Sequence, residues 1–572
     1  MALQKLTTPG GETLTGTPWQ VYPRPQLKRD SYVNLNGQWE FMATEGLHDA
    51  GRQPIQVPFC PESDLSGVGK HYPEGWELWY YKNFTLPEGF NRGRVLLHFG
   101  AVDQTAEVWL NHTPSGRMHF VGRHTGGYES FCFDITEYLQ EENQLAVCCT
   151  DDLRSHVQPY GKQVMKRGGM WYTPVSGIWQ TVWLESVPEN YVNQLNIYPN
   201  LDSAMIMVTP PMEGRVICEG KSYPLIAGVA AVIPENPIPW TPENPHLYTF
   251  TVEAGEDRFE SYFALRTLEI KEFKGLQRLC LNGKPYFFHG LLDQGYWPDG
   301  LFLPAKPEGY AEDILAMKQL GFNMLRKHIK VEPEQFYYDC DRLGMVVFQD
   351  MVNNGDYSFL RDTVYPTFLS QHGKDRNRHK DKATQRAFLD GMEATVRQLK
   401  NHPCICYWTI FNEGWGQFNS SACYRHLRRL DSSRFIDSTS GWFRCGQTDV
   451  ESLHIYFDMW HRLKKSDKPI VLSEFGGFTY SSEGHIFNPD KSYGYGTCKT
   501  PEELTRRLEN IYTTRVIPAI EKGLCASVYT QVSDVEDEIN GLLTYDRRVV
   551  KPDPQVMRTI AEKLRAALEK DL

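Results

Sequence analysis

The pattern of apolar and polar positions along the chain changes once, near residue 275. Before that point, short apolar or alternating segments such as RVLLHFG, TAEVWLN and WQTVWLE are separated by turn residues. This spacing predicts antiparallel β-structure of the sandwich or barrel type. We expect a first domain over residues 1–185 and a second over 186–274, whose length of about 90 residues suits an immunoglobulin-like sandwich.

After residue 275, apolar strands alternate with amphipathic helical stretches, which is typical of a parallel α/β arrangement. Strands are predicted at 286–292, 322–328, 345–351, 404–411, 434–440, 452–457, 469–475 and 525–531. Helices are predicted at 311–320, 333–343, 383–400, 422–430, 502–520 and 554–569. Eight strand–helix units over residues 275–572 match a (β/α)8 TIM barrel. A doubly wound sheet is the alternative, but no GxGxxG follows any of these strands.

The composition argues against several classes of function. A chain of 572 residues is too long for one hydrophobic core, so several domains are expected. The net charge of −11 comes without a basic tract, which argues against a nucleic-acid partner. No segment approaches the ~20 apolar residues of a membrane helix, and the opening MALQKLTTPGGETLTG has no apolar signal core. The 13 cysteines are scattered without zinc-site spacing. We therefore expect a cytoplasmic protein with reduced thiols and no membrane partner.

Polar residues end several of the predicted barrel strands, where the active site of such a barrel lies. The fourth strand ends in Asn412-Glu413, and the seventh ends in Glu474. Other polar groups at strand ends are Asp293-Gln294, Arg326, His328, Asp350, His454 and Tyr456. Strands four and seven stand nearly opposite each other in a ring of eight, so their two carboxylates can bracket one bond. A lone glutamate at a strand end is usually a solvated or salt-bridged residue, but this pair favours a chemical role.

Two carboxylates that project into one pocket are what glycoside hydrolysis requires. One must protonate the leaving oxygen, and the other must attack the anomeric carbon or activate water. The two groups need different environments, and Arg326 is positioned to lower the pKa of the ionised one. The strand-end aromatics Trp442 and Tyr529 fit either core packing or stacking on a sugar ring, and the sequence leaves both open.

Several longer motifs resemble glycoside hydrolase family 2: GGMWYTPVSGIWQTVWLE, WTPENPHLYTF, FALRTLEI, LNGKPYFFHG, TIFNEGWGQF, IVLSEFGG and NGLLTYDR. The resemblance implies a jelly-roll sugar-binding-like domain, an immunoglobulin-like domain and a catalytic TIM barrel. It also implies that Glu413 is the general acid/base and Glu474 the nucleophile of a retaining double displacement. Asn412 would then bind the sugar 2-hydroxyl, Tyr456 would steady the nucleophile, and Arg326 would hold its charge. Neither a redox cofactor nor a metal is implied.

The chain departs from the family pattern at positions that shape the sugar subsite. The β-glucuronidases of the family resemble each other in an Asn-x-Lys pair after strand eight, whereas the matching stretch here is Asn540-Gly541-Leu542. A buried uronate without a cation is costly, so uronides are disfavoured. A His-Glu pair common after strand one is replaced by Asp293-Gln294, whose carboxylate suits a neutral sugar. Strand eight ends in Tyr529 rather than the common Trp.

We therefore expect a retaining exo-β-glycosidase that releases a terminal neutral sugar, with galactose preferred over glucose and xylose. The expected substrate-binding residues are Asn412, Tyr456, Arg326, Asp293, His328, Asp350, Trp442 and Tyr529. The insertions 352–382 and 479–497 are expected to narrow the pocket to one sugar. Two alternatives stay open: a β-glucuronidase that uses Lys162, Lys166 or Arg167, and a non-catalytic carbohydrate-binding protein. A homo-oligomer is compatible with each.

Overall fold

Two antiparallel sheets pack face to face at the start of the chain, in a computed structural model that describes residues 3–46, 48–364, 375, 379–441 and 443–572. The six-stranded sheet has the order His48–Val57, Gly37–Glu45, Glu77–Phe84, Asn143–Thr150, Thr105–His112 and Met118–Thr125. The four-stranded sheet has the order Tyr32–Asn34, Val182–Val187, Arg94–Phe99 and Phe131–Asp134. Buried and exposed positions alternate along Gly37–Glu45. One face of each sheet thus covers a shared core that includes Phe41, Leu97 and Val108.

A second, smaller sandwich follows. One of its sheets comprises Gln194–Pro199, Ala204–Thr209 and Val229–Val232, and the other comprises Lys221–Leu225, Gly214–Cys218, Tyr248–Ala254 and Asp257–Phe263. Their inner faces enclose a separate core around Ile206, Val216 and Val252. A third sheet of Leu268–Phe273, Leu276–Leu281 and Lys284–Pro285 crosses the boundary expected after residue 274. Its Arg278 donates to the carbonyls of Leu524 and Ile520, so this sheet packs at the base of the next domain.

The predicted parallel barrel is confirmed. Its strands are β1 (Phe288–Asp293), β2 (Met324–Lys327), β3 (Val346–Asp350), β4 (Ile405–Asn412), β5 (Phe435–Ser440), β6 (Glu451–Ile455), β7 (Ile470–Phe475) and β8 (Leu524–Tyr529). The ladder runs β5-β4-β3-β2-β1-β8-β7-β6, with all neighbours parallel. Every residue of these strands except Glu451 is buried, as expected for strands covered on both faces. The carboxyl ends of the eight strands therefore meet at one face.

Six α-helices of ten or more residues surround the barrel in the described part of the chain: α1 (Glu308–Gln319), α2 (Glu334–Leu343), α3 (Lys382–Leu399), α4 (Ser420–Leu430), α5 (Pro501–Ile511) and α6 (Pro554–Asp571). The segment predicted as a helix over 502–520 is helical throughout, but its geometry changes from α over Pro501–Ile511 to π over Tyr512–Val516, then to α over Ile517–Ala519 and 3-10 over Ile520–Lys522. Pro518 lies in the short α-turn that follows the π stretch and has no N–H to donate to a preceding carbonyl. No described helix has a stretch long and apolar enough to cross a membrane.

The link between β5 and β6 departs from the predicted strand–helix repeat. Its described residues, 441 and 443–450, form bends rather than a helix. The link from β6 to β7 holds only the short 3-10 turn Trp460–Arg462 among described elements. This side of the barrel is thus built mainly from loops, and these loops border the carboxyl ends of β4, β6 and β7.

Candidate active site

Two glutamates from different strands meet at the carboxyl face of the barrel. Glu413 follows β4, and Glu474 lies near the end of β7. Three atoms lie within 4.8 Å of one another: one carboxylate oxygen of Glu413, one of Glu474, and a ring nitrogen of His454 on β6. Carboxyl groups that flank an intervening water are typically ~6.5–9.5 Å apart, whereas direct attack by a carboxylate needs ~5–5.5 Å. The spacing here suits direct attack.

The Glu474 carboxylate is buried and held by three groups. The Arg326 guanidinium lies 3.2 Å from Oε1, and the Tyr456 hydroxyl donates to Oε2 at 2.7 Å. His454 Nδ1 lies 3.4 Å from the same Oε2. Burial by itself raises the pKa of Glu474, but the His454 and Arg326 charges and the Tyr456 hydrogen bond outweigh it and hold the pKa below its usual value. Glu474 is therefore ionised at neutral pH.

The Arg326 guanidinium is held by hydrogen bonds from all three of its nitrogens. Its Nε donates to Asp350 at 3.0 Å, and its Nη2 donates to the Asn412 amide oxygen at 2.9 Å. The other Asp350 oxygen lies 2.7 Å from His328 Nδ1. Burial opposes ionisation of Asp350, but the Arg326 charge lowers the pKa of this carboxyl below its usual value. Because Arg326 engages the Asn412 oxygen, the NH2 group of Asn412 is the part available to a ligand.

Glu413 lies in a different environment from Glu474. Its side chain is 17% exposed, against 6% for that of Glu474, so it faces the opening of the site. Its backbone has a φ of +54°, a left-handed conformation that costs a non-glycine residue of order 1–3 kcal/mol. Its N–H donates to the Ser440 carbonyl at 2.9 Å, which anchors this turn to the end of β5. Oε1 lies 2.7 Å from His454 Nδ1.

His454 contacts both glutamates, and the sequence alone gave it no role. Its Nε2 lies 3.1 Å from the Ser440 hydroxyl, on the side of the ring opposite the carboxylates. The signal that could have identified it is the spacing of His454 and Tyr456, since residues two apart on a strand point to the same face. A group between two carboxylates can orient both of them.

The insertion after β7 contributes tyrosines that the sequence analysis did not single out. Tyr495 stacks on Tyr456 with ring centroids 4.2 Å apart, and its hydroxyl lies 3.2 Å from that of Tyr493. Burial raises the pKa of both Tyr495 and Tyr493, and the Glu413 charge raises each further. Both hydroxyls are therefore protonated donors that border the glutamate pair. The segment has no periodic pattern from which this position could have been read.

A loop of the first sandwich lies on the same face of the barrel. The N–H groups of Tyr160 and Gly161 both donate to the Asn353 carbonyl at 3.1 Å. A side chain at Gly161 would approach the Ile329 carbonyl to 2.8 Å, and its φ is +65°, so glycine is required there. The loop continues into Lys162, whose ammonium lies 5.4 Å from the Trp171 ring centroid. Burial lowers the pKa of His328, and the Lys162 charge lowers it further.

The loop after β8 presents a carboxylate to this region. Glu538 is buried, accepts a hydrogen bond from the Tyr172 hydroxyl, and accepts another from Asn540 Nδ2 at 3.0 Å. Burial raises the pKa of Glu538, and the Tyr172 hydrogen bond and the Lys162 charge oppose that rise. Asn540 and Leu542 are themselves fully buried. Glu538 has no strand-end position in the sequence pattern, which is why it was missed.

Two of the residues expected to bind substrate, Asp293 and Tyr529, are held by other protein groups. Asp293 forms an ion pair with Lys327 at 2.6 Å, and Lys327 also contacts Glu332 at 2.9 Å, so the Asp293 carboxylate belongs to a buried ionic network. The Tyr529 ring is fully buried, and its hydroxyl accepts the Phe478 N–H at 2.9 Å. Trp442 lies outside the described residues.

Of the three cations proposed to bind a uronate, Lys162 directly follows the loop that contacts Asn353 after β3, and it makes no ion pair among the described residues. Lys166 is exposed. Arg167 is paired with Asp537 at 2.8 Å. An incoming carboxylate would therefore have to compete with Asp537 for Arg167.

The cluster of Glu413, His454 and Glu474 is also the one group in the described structure whose spacing could hold a metal ion. The Arg326 charge 3.2 Å from Glu474 opposes a cation there. Proton transfer and nucleophilic attack by the carboxylates require no additional group.

Comparisons with known proteins agree with this arrangement. The family model of the glycosyl hydrolase family 2 TIM barrel domain matches residues 272–563, more than half of the chain, and the model of its sugar binding domain matches residues 70–188. A β-galactosidase of Thermoanaerobacter pseudethanolicus is 24% identical over 526 residues, covering 81% of this chain but only 65% of that protein. A β-glucuronidase of Felis catus is 24% identical over 558 residues, covering 80% and 79%.

Solved structures share the fold over nearly the whole chain. A β-D-glucuronidase of Dictyoglomus thermophilum superimposes with a TM-score of 0.72 at 19% identity and covers 95% of this chain and 98% of that one. A β-galacturonidase from Eisenbergiella tayi, bound to galacturonate, gives a TM-score of 0.67 at 18% identity, with coverage of 95% and 99%. The family model that matches more than half of the chain establishes that the chain belongs to glycoside hydrolase family 2.

Proposed function

We propose that this protein is a retaining exo-β-glycosidase. The observation that carries the proposal is the pair Glu413 and Glu474, whose carboxylates approach within 4.8 Å while lying in different environments. Glu474 is ionised and buried, as a nucleophile must be, and Glu413 faces the opening, where a leaving group departs. A carbohydrate-binding protein without activity has no need for this arrangement.

In the proposed reaction, Glu474 attacks the anomeric carbon while Glu413 donates its proton to the glycosidic oxygen, so the carbon–oxygen bond breaks and an alcohol leaves. Glu413, now ionised, takes a proton from water, and that oxygen attacks the anomeric carbon and displaces Glu474. The released sugar keeps the β configuration. The NH2 group of Asn412 is suited to bind the sugar 2-hydroxyl, since Arg326 holds the amide by its oxygen.

The walls of the site support action on a terminal sugar. The first-sandwich loop carrying Lys162 and Trp171 borders one side, and the β7 insertion with Tyr493 and Tyr495 borders another. A site closed by loops from two domains accommodates a chain end more readily than the middle of a polysaccharide.

For the sugar itself, we propose a neutral hexose, with galactose preferred. The β8 loop offers the buried acid Glu538 and the apolar Leu542 in place of a cation, and a second carboxylate beside Glu538 would be unfavourable. The similarity to a β-galactosidase over 81% of the chain agrees with this choice.

A β-uronide is a second candidate, and one observation favours it. Lys162 makes no ion pair among the described residues, and its carbonyl accepts the N–H of Tyr172, whose hydroxyl donates to Glu538. A cation without an anionic partner in a pocket can bind a substrate carboxylate. The solved structures of a β-glucuronidase and a β-galacturonidase share the fold of this chain, but a shared fold does not distinguish a neutral sugar from a uronide.

Turnover of four p-nitrophenyl β-glycosides, with galactose, glucose, xylose and glucuronic acid, separates the two candidates. We expect the galactoside to be hydrolysed fastest and Lys162→Gln to change its kcat/KM by less than about threefold, because a neutral sugar gains little from a positive charge. If the glucuronide is fastest and Lys162→Gln lowers its kcat/KM by about 10- to 100-fold, the uronide candidate is correct instead.

Lys166→Gln is the matched control for this panel, since it removes the same charge from an exposed position four residues away. This variant should leave kcat/KM unchanged for every substrate of the panel. Saccharide binding without turnover of any glycoside would contradict the proposed function as a whole.

Tyr456→Phe should shift the acidic limb of the kcat/KM profile to higher pH. The Tyr456 hydroxyl donates to the ionised form of Glu474 and so lowers its pKa. Without this bond the Glu474 pKa rises, and less of the nucleophile is ionised at low pH. We also expect kcat/KM at neutral pH to fall by about 10-fold or more, because hydrogen bonds to charged groups are strong.

Tyr495→Phe provides the control for the pH experiment. It removes a neighbouring hydroxyl that bonds to Tyr493 rather than to Glu474. Its acidic limb should match that of the wild-type enzyme. An unchanged acidic limb in Tyr456→Phe would show that Tyr456 does not tune Glu474.

A further inference from the structure

An exposed aromatic ring extends the tyrosines beside Glu474 toward solvent. Phe457 directly follows Tyr456 and is 75% exposed. Its ring meets Tyr495 edge-on, with centroids 5.7 Å apart and planes at 83°. Tyr495 in turn stacks on Tyr456 and contacts Tyr493. These four residues, which we term the aromatic wall, form a continuous surface from the Glu474 carboxylate to the outside of the protein.

Two features of Phe457 are unfavourable for folding alone. A large apolar ring in water gains nothing from the hydrophobic effect. The backbone of Phe457 also has a φ of +55°, in the left-handed region that bulky residues avoid. Strained residues concentrate at functional sites, and this one is adjacent to the residue that donates to Glu474.

The aromatic wall runs in the direction in which a leaving group must depart. Tyr456 at its inner end is 7% exposed, Tyr493 and Tyr495 are half-buried, and Phe457 at its outer end is open to solvent. Glu413, the proposed proton donor, is also partly exposed, with 17% of its side chain open to solvent. Since the terminal sugar occupies the buried end next to Glu474, the group on the other side of the glycosidic oxygen extends past Phe457.

We propose that Phe457 is the stacking platform of the leaving-group subsite, and that it binds a ring presenting a flat apolar face. This inference rests on the proposed retaining glycosidase function. An aromatic aglycone and the C–H face of a second pyranose share this chemistry, because both can pack against a phenyl ring. The perpendicular contact with Tyr495 helps to hold the Phe457 ring in place.

The test compares kcat/KM for three β-glycosides of the preferred terminal sugar: the p-nitrophenyl glycoside, a disaccharide with glucose as the leaving sugar, and the methyl glycoside. Phe457→Ala should lower the value for ring-bearing substrates by about five- to tenfold and for the methyl glycoside by less than about twofold. Phe457→Trp should retain wild-type values, since it keeps a platform. A loss on the aryl substrate alone identifies aromatic aglycones, and a loss on both ring-bearing substrates identifies sugars as well.

Phe120→Ala is the matched control, because Phe120 is 53% exposed on Met118–Thr125, an edge strand of the first sandwich. It should change none of the three values. Equal losses on ring-bearing and methyl substrates in Phe457→Ala, or no loss at all, would overturn the platform while leaving the proposed function intact. A wild-type protein that hydrolyses none of the glycosides would overturn the proposed function, and this inference with it.

Discussion

Replacing Glu474 by Gln is expected to lower kcat/KM for the preferred aryl β-glycoside by about 10⁴-fold or more, the scale seen when an enzyme loses its nucleophile. The amide keeps the shape of the side chain but cannot form the glycosyl ester. The measurement is steady-state hydrolysis with purified protein, supported by mass spectrometry after reaction with a 2-deoxy-2-fluoro glycoside. The wild-type enzyme should gain one covalent sugar, and the variant none.

The same substitution should leave the fold intact. Arg326 loses one anionic partner but keeps Asp350 at 3.0 Å and its bonds to the Asn412 and Ser473 oxygens. The guanidinium therefore remains paired, which avoids the large cost of an isolated buried charge. We expect unchanged circular dichroism and an unfolding temperature at least equal to that of the wild type.

Glu185→Gln is the matched control for a buried glutamate outside the barrel. Glu185 is fully buried and contacts Arg24 at 2.9 Å and Arg29 at 3.1 Å, where the first sandwich meets the second. Neutralising it should lower the unfolding temperature, because two arginines lose a shared partner. Its effect on kcat/KM should be small. A Glu474→Gln variant with wild-type turnover would remove Glu474 from the mechanism.

The sequence predicted the barrel well because each strand is covered on both faces and therefore reads as an uninterrupted apolar run. The pair Glu413 and Glu474 could be singled out for the same reason, since each ends such a run with a charge. The helical range 502–520 could also be predicted, but the change from α to π geometry after Ile511 could not, because the apolar pattern continues unchanged past that residue.

The rest of the site depends on contacts that have no pattern along the chain. Tyr493, Tyr495 and Glu538 come from loops, where position is set by tertiary packing rather than by periodicity. Asp293 has the type of side chain that binds sugar hydroxyls, but Lys327 is placed beside it by the next strand and engages it. Tyr529 ends a strand, yet Phe475 and Phe478 cover its ring. In each case a neighbour distant in sequence decides the environment of the side chain.

Replacing Glu413 by Ala is expected to produce a defect that depends on the leaving group. For a poor leaving group such as an alkyl alcohol or a second sugar, kcat/KM should fall by about 10²- to 10⁴-fold, because the departing oxygen is no longer protonated. For a 2,4-dinitrophenyl glycoside, whose leaving group departs as an anion, kcat/KM should stay near the wild-type value. The variant should then accumulate glycosyl-enzyme, since no base activates water for the second step.

Azide provides the decisive measurement on this variant. It is a small anion that attacks without losing a proton, so it does not need the base that Glu413 supplies, and the space left by the removed carboxylate admits it. We expect added azide to restore kcat for the dinitrophenyl substrate and to yield the β-glycosyl azide, identified by NMR. The same treatment of the Glu474→Ala variant should yield the α-glycosyl azide, because azide then attacks from the side that Glu474 occupied. Finding the two anomers the other way round would exchange the roles of the two glutamates, and finding neither would contradict the double displacement.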